Sequence, residues 1–152
     1  MRRPACSRAA CHHFRPCVDS DLRAAFEATE YRVRLARGGW AAIRIVEARP
    51  APLQAATGTR CWGFVTAWNP GARLGDWRHN RAAQRRLIES LRALPSTVAI
   101  RPALGVATDW REPSLFVIGP DTSALDALAR HYQQRAYVHG QACGCACLRW
   151  LD

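Results

Sequence analysis

The segment Phe64-Val-Thr-Ala-Trp-Asn-Pro-Gly71 constrains the fold more than any other part of the chain. Its first half is an apolar run with the composition of a buried strand, and Asn69-Pro70-Gly71 stops it at once. Proline fixes its own φ, and Asn and Gly tolerate left-handed backbone, so the stop is a tight turn with a physical cause. Two later stretches answer it. One is Trp110-Arg-Glu112-Pro-Ser114 leading into Leu115-Phe-Val-Ile118-Gly119; the other is Gln133-Gln134-Arg-Ala-Tyr-Val-His139-Gly140.

Hydrophobic period places the remaining elements. Leu22, Ala25 and Phe26 fall at helical spacing between Asp21 and Thr29. Apolar and basic residues alternate from Tyr31 to Arg37, Gly38-Gly39 turns the chain, and Trp40 to Glu47 returns, which predicts a hairpin. Pro50 and Pro52 predict a loop from Arg49 to Thr59. Cys61 to Ala67 is the next strand. Asp76 caps a helix that runs to about Ala93, with Ala83, Leu87, Leu91 and Leu94 as its buried stripe. Thr97 to Arg101 reads as a short strand, Pro102 to Trp110 as a loop, and Ser114 to Ile118 as a central strand buried on both faces. Asp121 or Thr122 caps a second helix on Ala124, Leu125, Leu128, Ala129 and Tyr132. Arg135 to His139 and Cys145 to Leu151 are the last strands. This order predicts an α+β fold: a single mixed, mostly antiparallel sheet with two main helices packed on one face, a two-layer sandwich. Residues 1–20, rich in Cys, His and Arg, form an extension that is poorly ordered unless tied down, and 21–152 form a single domain.

Composition narrows the class. A chain of 152 residues with 49% hydrophobic content and six Trp can bury a real core. The net charge of +10 invites a nucleic-acid reading. All 22 basic residues are Arg, however, and Ala is abundant, a pairing that a GC-rich coding sequence also produces. Arg78, Arg81, Arg85 and Arg92 lie off the buried stripe of the first long helix and define the nucleic-acid alternative. No run is long enough to span a membrane, and no apolar segment follows Arg2 and Arg3 as a signal peptide requires, so a cytoplasmic location is expected.

The candidate site is the set Asn69, Asn80, Trp110, Glu112, Ser114 and Gln134, all placed where strand ends and helix starts converge. Asn80 falls in the first helical turn, whose free amides favour anions. Glu112 stands two residues from an indole, where a partly closed site raises a carboxyl pKa. The structural alternative is that the amides satisfy backbone groups and Glu112 pairs with an Arg. In the Trp-Asn-Pro turn, the early helical Asn80, the Trp-x-Glu-x-Ser step and the Gln134 that precedes Ala136, the chain from about residue 30 to 140 resembles the bacterial domain-of-unknown-function family 3293. The resemblance implies these positions but no reaction. Against the family pattern, Gly105 stands alone where a Gly-x-Gly is usual, and Arg135 replaces an Asn.

Other chemistries leave weaker traces. There is no Gly-x-Ser-x-Gly elbow, phosphate loop, dinucleotide fingerprint or paired-His metalloprotease motif. Glu112 is the one candidate general base, and nothing else argues for an enzyme. Cys143, Cys145 and Cys147 alternate along a strand, and Cys6, Cys11, His12, His13 and Cys17 cluster at the other end. Neither group has Cys-x2-Cys spacing, so no metal is assigned and no cofactor is expected. The expectation is a ligand-binding or regulatory domain with a polar pocket for a small anionic or nucleotide-like molecule. The alternatives are a nucleic-acid module on the arginine face and a hydrolase or transferase built on Glu112.

Overall fold

Among the described residues, four helices pack around one antiparallel sheet. A computed structural model describes residues 20–142 and 144–151. The chain runs through α1 (Ser20–Ala28), the hairpin β1 (Glu30–Arg34) and β2 (Trp40–Ile43), α2 (Ala51–Thr57) and β3 (Cys61–Val65). A 3-10 turn (Pro70–Ala72) then leads to α3 (Trp77–Ala93), the hairpin β4 (Ala99–Val106) and β5 (Arg111–Ile118), α4 (Thr122–His131), and finally β6 (Ala136–Gln141) and β7 (Cys147–Trp150). The strands order β2-β1-β4-β5-β3-β6-β7. Every pairing among the described residues is antiparallel, where a mixed sheet was expected. The reason is that β3 and β4, joined through α3, do not touch: β5 lies between them and runs opposite to both.

Side chains alternate across the sheet, and each face has its own apolar cluster. Trp62, Phe64, Phe116, Ile118 and Val138 join Tyr31, Val33 and Ile43 on one face, with Leu53 of α2 and Phe26 of α1 against them. Val65, Leu115, Val117 and Tyr137 point the other way, onto Leu87 and Leu91 of α3 and Leu125 and Ala129 of α4. This explains the continuous apolar run in β5, whose residues Ser114 to Ile118 are all buried. Gly63 lets α4 approach: a Cβ there would stand 2.5 Å from Leu125 Cδ1. Beyond the strands the sheet curls until its outer edges meet, with Val46 N donating to Ala146 O at 2.8 Å and Ala146 N to Glu47 O at 3.2 Å.

Asp76 and Asp121 cap α3 and α4 as expected, each accepting an amide of the first turn, His79 N at 3.2 Å and Ala124 N at 3.0 Å. Two segments read as loops are regular. Residues 51–57 form α2, because Pro50 sits at the N-cap and Pro52 in the first turn, where a missing N–H is harmless. Residues 102–106 continue β4, because at Pro102 the pairing with β1 has not begun, so the imide faces no ladder partner on that side. On α4, Asp126 accepts two bonds from the Arg149 guanidinium and one from Tyr137 Oη, all at 2.7 Å, tying the helix to β6 and β7. Arg149 holds the Asp126 carboxyl below its usual range. Among the described residues, no helix is long and apolar enough to cross a membrane.

Candidate functional site

The turn after β3 is built by Asn69, which adopts left-handed backbone with φ 50° and ψ 62°. Both polar atoms of its side chain are engaged. Asn69 Oδ1 accepts from Asn80 Nδ2 at 2.8 Å and Gly75 N at 3.0 Å, and Asn69 Nδ2 donates to Glu112 Oε2 at 3.0 Å. Asn80, buried in the first turn of α3, returns the contact by accepting from Asn69 N at 3.0 Å. The two amides therefore lock the β3–α3 turn and hand one N–H to the carboxyl of β5.

The other predicted residues gather around this lock. Gln134 Nε2 donates to Trp68 O at 3.0 Å, and Gly71 N to Gln133 O at 2.7 Å, so the α4–β6 turn is fastened to the β3–α3 turn. Ser114 is buried and donates to the backbone oxygen of Glu112 at 3.2 Å, with no histidine at its hydroxyl. Trp110 lies over Gly105, its ring carbons 3.5 and 3.6 Å from where a Cβ would be. Sequence reasoning missed Gln84, one turn beyond Asn80. Its Oε1 accepts from Ala67 N at 2.8 Å and its Nε2 reaches Pro113 O at 3.3 Å. The available signal was a second polar residue on the buried stripe that continues through Leu87 and Leu91.

Glu112 differs from its neighbours. Tyr31, Gly105 and Glu112 stand opposite one another across β1, β4 and β5, so they share a face. Burial under this aromatic cover pushes the Glu112 carboxyl up to about 7, and the Asn69 bond only partly opposes it. No ion pair involves Glu112 among the described residues, so the expected alternative of an arginine clamp is not what holds it. Tyr31 is itself pushed up, chiefly by burial and further by the neighbouring Glu112 charge. The six-residue set thus contains five groups that hold turns, rings or backbone in place and one carboxyl with an acceptor oxygen to spare.

The remaining candidates lie elsewhere. Arg78, Arg81, Arg85 and Arg92 are exposed along α3, and Arg81 sits 5.1 Å from the Trp77 ring. Cys145 and Cys147 each take part in a disulfide, which removes the thiolates a metal would need, and Cys143 lies outside the described residues. Among the described residues no cluster of His, Cys, Asp and Glu could hold a metal ion.

The fold and site define an antiparallel α+β fold with a half-buried carboxyl beside the β3–α3 turn and, among the described residues, in no ion pair. Residues 65–137, which contain all six predicted site residues, match a family described as protein of unknown function (DUF3293). Comparison with curated proteins and with solved structures gives no match.

Proposed function

We propose that the protein is a small ligand-binding domain of regulatory or accessory role, cytoplasmic in location, whose ligand is held at Glu112. One observation carries this reading: among the described residues the half-buried Glu112 carboxyl has no ion-pair partner, accepts a hydrogen bond from Asn69, and is pushed up to about 7 by burial. A group in that state accepts hydrogen bonds from an amine, amide or hydroxyl when ionised and donates one when protonated. The ligand class supported is a small molecule with a hydrogen-donating nitrogen or oxygen rather than an anion. One amide of the first α3 turn, His79 N, already serves the Asp76 carboxylate. Trp110, about 41% exposed, offers a ring face beside the carboxyl. In the same reading α3 and α4 are the main helices on one face, and the Glu112 face is left to the smaller helices α1 and α2.

The test is a thermal-shift titration of amines, nucleosides and polyols against the protein and Glu112→Gln, near pH 6 and pH 8. A binder whose shift is lost in Glu112→Gln upholds the reading. Shifts that persist unchanged in the variant, or none across the panel, defeat it. A second reading, a hydrolase or transferase with Glu112 as general base, is favoured by the same near-neutral carboxyl. Turnover of any binder, with a rate that rises as Glu112 ionises, selects it over simple binding.

A further inference from the structure

The outer face of the β2-β1-β4 end of the sheet carries a second surface, on the side of β1 opposite Tyr31 and so away from Glu112. Register assigns its rows. Ala42, Arg32 and Leu104 stand side by side, Arg34 lies beside Trp40, and Val106, paired with Glu30 on one side, is paired with Arg111 on the other. α3 and α4 pack on this side of the sheet only farther along. Gln84 of α3 reaches Pro113, the residue paired with Leu104, and the rows beyond Leu104 remain open. The opening is a groove of about 280 Å3 lined by Glu30, Arg32, Trp40, Ala42, Leu104 and Arg111.

Its chemistry is specific. Trp40 is 49% exposed on a strand, where a core Trp would be buried, and the Arg34 guanidinium stacks on it at 5.6 Å. Four arginines, Arg32, Arg34, Arg44 and Arg111, face a single carboxylate, Glu30. That carboxylate bonds Arg32 Nε at 2.6 Å and Arg44 Nη2 at 2.8 Å, which fixes the two forks in place and still leaves the surface strongly positive. An antiparallel sheet face that offers an exposed indole among oriented guanidinium groups has the two things single-stranded nucleic acid needs. These are a platform on which an unpaired base stacks, and cations spaced along the strand direction for its phosphates. A duplex hides its base faces and cannot use Trp40. We propose that this sheet face binds single-stranded nucleic acid, with a base stacked on Trp40 and the phosphates on Arg32, Arg34 and Arg111. The surface differs from the α3 arginine face expected from the sequence, and it does not depend on the ligand proposed for Glu112.

The experiment is fluorescence anisotropy of labelled oligouridylate and oligothymidylate with the full chain. A duplex of the same length and heparin serve as competitors, between about 50 and 200 mM salt. Binding should weaken with salt, and Arg111→Ala should flatten the slope of log affinity against log salt by about 0.7. Trp40→Ala should lose about tenfold in affinity while Trp40→Phe keeps most of it. Arg60→Ala, which removes the same charge from an exposed turn elsewhere, should leave affinity within about twofold. Binding to either strand with this pattern upholds the proposal, and the tighter of the two identifies the natural strand. If Trp40→Ala and Arg60→Ala bind alike, or heparin and duplex displace the strand as well as it displaces itself, the surface is merely basic and the proposal fails. It fails also if neither oligonucleotide binds at the lower salt.

Discussion

At the scale of single residues, Glu112 carries the clearest consequence. Its carboxyl sits at about 7 in the folded protein against an ordinary value of 4.5, because burial disfavours the charge. Between those values the folded chain holds a proton that the unfolded chain has released. Stability therefore falls as pH rises through that window, and above it the full penalty, about 3 kcal/mol, is present. Glu112→Gln removes the charge and keeps an oxygen for Asn69. It should match the parent at about pH 4, below both values, and exceed it by up to about 3 kcal/mol at about pH 8, read from urea midpoints at the two pH values. A difference that does not change with pH would mean that Glu112 ionises as an exposed carboxyl does. Asn80 sits one step away. Asn80→Ala leaves the Asn69 amide without its acceptor and should cost about 1–3 kcal/mol at any pH, with an unchanged urea slope. Much of this cluster was legible in the sequence. Asn69 announced itself by its turn and Asn80 by its place in the first helical turn, whereas Gln84 hid because its position looked like one more step of the apolar stripe.

Elements that declare themselves by period and cap were readable. α3 and α4 have a side-chain N-cap and an apolar stripe, and both begin where Asp76 and Asp121 predict. The β1–β2 hairpin followed from alternation and a Gly-Gly turn. What escaped were elements written with proline. α2 begins on one proline and contains another, and β4 passes through Pro102, so local punctuation pointed to loops while position within the element made each proline acceptable. Packing between elements was less legible still, since nothing local says that β3 must pass under α4 through a glycine. Gly63→Ala should force Leu125 aside and destabilise by about 1–3 kcal/mol. Combined with Leu125→Ala, which opens the space, the loss should be smaller than the sum of the two single losses. Strict additivity would show that the methyl group is accommodated elsewhere.

At the scale of the whole molecule, the curl of the sheet decides which strand edges stay open. Val46 N donates to Ala146 O and Ala146 N donates back to Glu47 O, across segments far apart in sequence, where β2 and β7 approach each other. Those two amides should resist hydrogen exchange as the β1–β2 hairpin does; exchange at the rate of exposed turns would show that the edges separate freely. The curl also encloses Leu53 of α2 and leaves the Trp40 strip on the outside, so one bend of the backbone provides both an interior and an uncovered basic face.

The apolar cluster around Trp62 has a further implication. Its members run from Tyr31 to Ala146, and the contact that joins the sheet edges links Val46 to Ala146, about a hundred residues later in the chain. A ribosome making this protein releases the first hairpin long before the strand that shields its inner side. Tyr31, Val33 and Ile43 must wait, exposed, until Val138 and Ala146 have been made. Such dependence on distant pairing makes folding slow and places the hazard of aggregation in the unfinished chain rather than in the finished protein.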